Sequence, residues 1–159
     1  DIMSFSKFAC EYIAENNCQI KYKVVMQDER ESGLREILNL GHTVGRAIET
    51  VSDYRLLHGE AVAIGLVAQA LLSESLGYMN TQQVERVIAL LEQAGLPTKI
   101  PAYIDREELV QKLYTDKKVR SGKLRFVLQK GIGEVVEFAP GVYAKTVEEE
   151  IVRHILEKM

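Results

Sequence analysis

The sequence predicts an all-α fold, a multi-helical bundle with a small β-hairpin late in the chain. Three observations carry that expectation. Apolar residues recur at helical spacing through most of the chain. Asn, Asp, Gly and Pro punctuate these runs where helices start and stop. Strand-like alternation late in the chain is confined to two short stretches around Lys130-Gly-Ile-Gly133.

Taken in order, Ser4 to Asn16 reads as an amphipathic helix, with Phe5, Phe8, Ala9, Tyr12 and Ile13 apolar at helical spacing. Asn16-Asn17 marks its end. Ile20 to Met26 alternates like a strand, but no partner strand lies nearby, so we read it as a helix. Leu34 to Glu49 reads as one helix. Ser52-Asp53 turns the chain, and His58-Gly-Glu60 opens its most hydrophobic element, Ala61 to Leu76. That helix is apolar nearly all round, which predicts the buried centre of the bundle. Gly77 stops it. Asn80-Thr81 caps Gln82 to Ala94, and Gly95-Leu-Pro97 ends that helix. Asp105 is the expected N-cap of a helix reaching Tyr114. Leu124 to Leu128 and Glu134 to Phe138 read as the hairpin strands. Thr146 is expected to cap a last helix to Met159.

A chain of 159 residues is long enough for one domain with a proper core. Its 47% hydrophobic and 27% charged residues fit an ordinary globule. A net charge of −3 supplies no basic field for nucleic acid. No apolar run approaches the roughly 20 residues that span a bilayer, and the start lacks a signal-peptide pattern. Cys10 and Cys18 read as thiols of a reducing compartment and not as a disulfide framework, which makes a cytoplasmic location the expectation. The chain starts at Asp1 and enters helical pattern almost at once, as expected of a piece of a longer protein.

The chemistry concentrates between residues 28 and 60. On one helix over Leu34–Glu49, a period of 3.6 aligns Arg35, Asn39, His42, Arg46 and Glu49. Leu34, Ile37, Leu38, Val44 and Ile48 fall on the opposing, core-facing side. A row mixing cation, amide, imidazole and carboxylate is not what solvent selects on a helix, where Lys and Glu are favoured. Gly41 and Gly45 also cost about 1 kcal/mol each against Ala, which points to close backbone packing or a ligand. His42 and His58 each adjoin a glycine and form a candidate ligand pair. Two imidazoles alone do not close a catalytic zinc site, which takes three protein ligands and water.

Several motifs stand in order: Asp28-Glu-Arg-Glu31, Gly33-Leu-Arg35, Leu38-Asn39, Gly41-His-Thr43, Ala47-Ile-Glu49, His58-Gly-Glu60, Ala63-Ile-Gly65, Gly95-Leu-Pro97 and Asp116-Lys-Lys118. Together they resemble the C-terminal part of 3-dehydroquinate synthase. The resemblance implies one domain of a two-domain enzyme of the shikimate pathway. That enzyme turns a phosphorylated keto-sugar acid into 3-dehydroquinate, using NAD and a divalent metal, zinc or cobalt. It also implies an N-terminal NAD-binding domain, absent from this chain, and a homodimer.

Residue by residue, the resemblance makes His42 and His58 metal ligands, with a third ligand, a glutamate, lying ahead of Asp1. Glu31 takes the place of an acidic residue that aids proton transfer. Lys21 and Arg35 hold the substrate carboxylate, a role that suits the planar fork of Arg. Asn39 contacts substrate, and Lys117 touches the phosphate. Arg46 stands where many members carry a second histidine. A guanidinium can bind an anion but does not release its proton, so Arg46 fits phosphate binding better than acid–base work. His154 has no counterpart role and is expected on the outer face of the last helix. Other readings are a related sugar phosphate cyclase, a metal-dependent polyol dehydrogenase, or a non-enzymatic helical interaction domain whose polar row is structural.

Overall fold

The structure, a computed structural model, describes residues 3–4, 6–115 and 123–159. Phe5 and Lys117 therefore lie outside the described residues. Among the described residues the chain is mostly helical with one small antiparallel pair of strands, as the sequence predicts. No helix among the described residues is long and apolar enough to cross a membrane.

Helix α1 runs from Lys7 to Gln27, with the Ser6 hydroxyl accepting the Ala9 N–H at 3.3 Å as its N-cap. The expected stop at Asn16-Asn17 does not occur. Both amide side chains donate back to carbonyls one turn earlier, Asn16 to Tyr12 at 2.7 Å and Asn17 to Ile13 at 2.8 Å. These bonds stay within the helix, so the pair never diverts the backbone into a turn. Ile20 to Met26 continues the same helix, as we read it. Only Val24 of α1 is buried, and Phe8, Tyr12, Ile20, Tyr22 and Met26 are all exposed.

The single helix expected over Leu34–Glu49 is divided. Leu34–Asn39 is a 3-10 turn, and α2 begins afresh at His42 and runs to Val51. Between them Leu40 is extended and Gly41 adopts a left-handed φ of 77°. Side-chain periodicity cannot register such a break, because the polar spacing is compatible with a helix on either side of it.

Helix α3, His58–Ser75, is the centre of the bundle, with Ala61, Ile64, Ala68 and Leu72 all buried. Around it pack α2, α4 (Thr81–Gln93) and α6 (Glu149–Lys158), while α5 (Arg106–Thr115) lies against α2 and α6. Val44, Ile48, Leu109, Leu113, Phe126, Leu128 and Leu156 complete one continuous core. The expected caps are present at two helices. Asn80 and Gln83 exchange a reciprocal capping pair at 2.9 and 3.0 Å, and Asp105 accepts the Glu108 N–H at 2.8 Å.

The β region departs from expectation in its partner. Gln129 and Val135 bridge across the Lys130–Gly133 turn, and Val136 donates to the Leu128 carbonyl at 2.9 Å. The ladder, however, joins β1 (Arg125–Val127) antiparallel to β2 (Ala144–Thr146), with Phe126 opposite Lys145. Arg125 fixes this pairing by donating to the Ala144 carbonyl at 2.8 Å. Thr146 is thus a strand residue and not a helix cap. Helix α6 starts after Glu148, with no side-chain cap. His154 is on the exposed face of α6, as expected. Cys10 and Cys18 are both exposed, free thiols.

Candidate metal and substrate site

Two glycines bring the two histidines together. A Cβ at Gly45 would lie 3.0 Å from the Ala61 carbonyl oxygen and from the Val62 Cα. At Gly65 it would lie 1.9 Å from the Gly41 carbonyl oxygen. Helices α2 and α3 therefore touch backbone to backbone where Gly45 and Gly65 sit. Since His42 is the first residue of α2 and His58 the first of α3, this contact sets their rings side by side. The ring centroids are 5.4 Å apart, at an interplanar angle of 54°.

The hydrogen bonds of the rings fix which nitrogens are free. His42 Nδ1 lies 2.9 Å from the Leu40 carbonyl oxygen, which can only accept, so Nδ1 carries the proton. In the neutral ring the lone pair is then on Nε2. His58 Nδ1 lies 3.1 Å from Glu49 Oε2, which likewise holds the proton on Nδ1 and leaves Nε2 as the electron-pair donor. Backbone carbonyl and carboxylate partners of this kind orient imidazoles that ligate metals. His42 is half-buried and His58 is exposed, so the pair opens towards solvent. Among the described residues no group of three or more His, Cys, Asp or Glu side chains is placed to hold a metal. The two imidazoles fit a divalent ion as part of a ligand set and do not complete one.

The segment before α2 is built on Asp28. Its buried carboxylate accepts the backbone N–H groups of Ser32, Gly33 and Arg35 at 2.8, 2.8 and 2.9 Å, and the Ser32 hydroxyl at 3.0 Å. Those donors, the Ser32 and Arg35 amides foremost, hold its pKa well below the usual carboxylate range. The loop so organised carries Glu31 at a positive φ of 55°. Asn39 donates to Glu31 Oε1 at 2.8 Å, across the 3-10 turn. Arg35, half-buried, donates from Nη1 to the Glu29 carbonyl at 2.7 Å.

Of the residues singled out in the sequence, Glu31 and Asn39 are bonded to one another, and His42 and His58 face each other. Glu49 joins them through His58. Arg46 is exposed on α2, and Lys21 is exposed on α1. Two contributors escaped the sequence reading. Gly65 looks like an ordinary helix residue, although its neighbour in space is the backbone of Gly41. Gln69 is fully buried and accepts the Gly41 N–H. Its signal was available, as an amide within the most apolar helix of the chain.

Comparisons with known proteins point one way. A family model described as 3-dehydroquinate synthase C-terminal matches residues 1–119. The 3-dehydroquinate synthase of Synechococcus sp. is 49% identical over 124 residues, which are 77% of this chain and 34% of that protein. That of Pelobacter propionicus is 50% identical over 136 residues, 85% of this chain and 38% of the relative. The chain thus spans little more than a third of the length of these relatives. Among solved structures, 2-deoxy-scyllo-inosose synthase complexed with carbaglucose-6-phosphate, NAD+ and Co2+ superposes with a TM-score of 0.80 at 25% identity. The match covers 90% of this chain and 39% of that one.

Proposed function

Because the chain belongs to the 3-dehydroquinate synthase family, we propose that it is the metal- and substrate-binding part of such an enzyme. The reaction is conversion of 3-deoxy-D-arabino-heptulosonate 7-phosphate to 3-dehydroquinate and phosphate, a phosphorus–oxygen lyase step of the shikimate pathway. The observation that carries this reading is the pair of facing imidazoles whose Nδ1 atoms are both engaged, leaving two Nε2 lone pairs to ligate.

In this reading His42 and His58 hold a zinc or cobalt ion, with Glu49 and the Leu40 carbonyl keeping the rings in the ligating tautomer. A bound divalent ion would polarise a substrate hydroxyl and ease its oxidation. NAD is supplied by an N-terminal domain of the whole enzyme, and the two domains close the site between them. Arg35 and Lys21 bind the substrate carboxylate. Arg46 and Lys117 bind the phosphate, where fixed cations suit a dianion. Asn39 orients a substrate oxygen, and Glu31, held by Asn39, moves a proton. The uncapped N-terminus of α2 adds a favourable field for anionic oxygen close to His42. The assembled enzyme is a homodimer.

Turnover should appear only when the chain is joined to the NAD-binding domain, and the 159-residue piece alone should be inactive. In the joined enzyme, Arg35→Ala should lower kcat/KM by about 2–5 kcal/mol if it leaves a substrate carboxylate buried without its partner. Normal kcat/KM in that variant would remove Arg35 from the site. Turnover by the isolated chain would refute the division of labour.

A further inference from the structure

We propose that Gln69 is a positioning residue for the metal pair, setting the backbone of Gly41 and through it the entry of His42. The proposal rests on the reading of His42 and His58 as ligands, but its structural core does not. Gln69 is fully buried in the middle of α3, between Ala68 and Ala70, which are fully buried as well. Its Oε1 accepts the Gly41 N–H, and its Nε2 donates to the Val127 carbonyl of β1 at 2.8 Å. One side chain therefore joins three elements: the residue before α2, the centre of α3, and the small sheet.

Gly41 is buried at the N-cap of α2, with Leu66 and Val62 against its Cα, and Gln69 Oε1 is the acceptor that its N–H meets. A buried N–H left without an acceptor carries the full penalty of desolvation, which the backbone can escape only by moving. Moving Gly41 moves His42, the next residue, and with it the Leu40 carbonyl that orients the imidazole. Gly65, whose added Cβ would clash with the Gly41 oxygen, holds the same residue from its other polar group. Gly41 is thus fixed at both ends of its backbone, by contact at the oxygen and by Gln69 at the nitrogen.

Ser73 sits one turn further along α3 and supplies an internal control. Its hydroxyl donates to the Gln69 carbonyl at 2.7 Å and accepts the Gln129 N–H at 2.9 Å, so it ties α3 to the segment just after β1 and has no bond to Gly41. A role for Gln69 in mere stability predicts that Ser73→Ala and Gln69→Met act alike. A positioning role separates them.

The test uses the full-length enzyme that contains this domain, with cobalt as the probe. Four proteins are compared: parent, Gln69→Met, Ser73→Ala and, for the ligand assignment, His42→Ala. Melting temperature, hydrogen exchange at the Gly41 and His42 amides, and the cobalt dissociation constant from visible absorption are read for each. Gln69→Met should raise the cobalt dissociation constant about tenfold, within the range seen when residues that orient metal ligands are lost. It should also speed exchange at Gly41 well beyond any change in global stability. Ser73→Ala should lower the melting temperature yet leave both other readouts within twofold. Parent-like cobalt affinity in Gln69→Met overturns the proposal. So do losses of affinity in both variants that merely track their melting temperatures. If His42→Ala leaves parent cobalt binding untouched, the ligand assignment fails on its own, while exchange at Gly41 still decides whether Gln69 holds that residue.

Discussion

At Gly65 a hydrogen occupies a place no methyl group can. A Cβ there would come within 1.9 Å of the Gly41 carbonyl oxygen, a backbone atom with no rotamer to yield. Gly65→Ala should therefore cost at least the upper part of the roughly 1–3 kcal/mol typical of overpacking, and displace α2 against α3. Gly59, in the same helix, has nothing within 4 Å of an added Cβ. Gly59→Ala should stabilise the helix by about 0.4–1 kcal/mol. Equal effects of the two substitutions, read by denaturant unfolding, would contradict the close crossing. Asp28 is the second such residue. Its folded pKa is depressed by the amides of Ser32, Arg35 and Gly33, so the carboxylate form is favoured in the folded state. The stability it contributes is complete above its unfolded pKa of about 3.9 and is lost as pH falls below that value. Asp28→Asn should lower the melting temperature at pH 7 and flatten the acid limb of the stability profile. An unchanged acid limb would count against it.

At the scale of elements, α5 and α6 are joined by a polar clasp. Tyr114 donates to Glu149 at 2.5 Å, and Arg153 binds Glu149 and Glu107, each at 2.6 Å. The Glu149 carboxylate, together with burial, pushes the Tyr114 pKa up to about 12. A phenol held protonated in the folded state adds stability below its unfolded pKa of about 10, lost as pH rises towards 12. Tyr114→Phe should cost about 1 kcal/mol at pH 7 and remove that alkaline dependence. Thermal unfolding at pH 7 and pH 11 measures both, and a parent-like pH 11 profile would exclude the clasp. This clasp was not legible in the sequence, since residues 114 and 149 are brought together only by the fold. What was legible is local: Asn80 and Asp105 act within one turn, and the largely apolar run of α3 is buried as such runs must be. The misreadings are also physical. Asn16-Asn17 carries a turn signal that back-bonding within the helix cancels. The break at Leu40-Gly41 leaves the polar spacing intact, and β1 pairs with Ala144–Thr146, where Arg125 donates to the Ala144 carbonyl, a contact between residues far apart in sequence.

For the molecule as a whole, the bundle works as a frame that delivers two helix N-termini to one spot. His42 and His58 were visible in the sequence as residues flanked by glycines. Their separation was not, because it depends on Gly45 and Gly65 meeting the facing backbone. Glu49 aligned with the polar row in the sequence, but its pairing with His58 emerged only from the crossing of α2 and α3. Crystallographic anomalous scattering from zinc or cobalt in the full-length enzyme measures the central claim directly. One metal peak is expected about 2.0–2.1 Å from Nε2 of both His42 and His58, with Nδ1 of His42 still bonded to Leu40 and that of His58 to Glu49. A peak ligated through Nδ1 of either ring, or one bound elsewhere with both Nε2 atoms free, would contradict it.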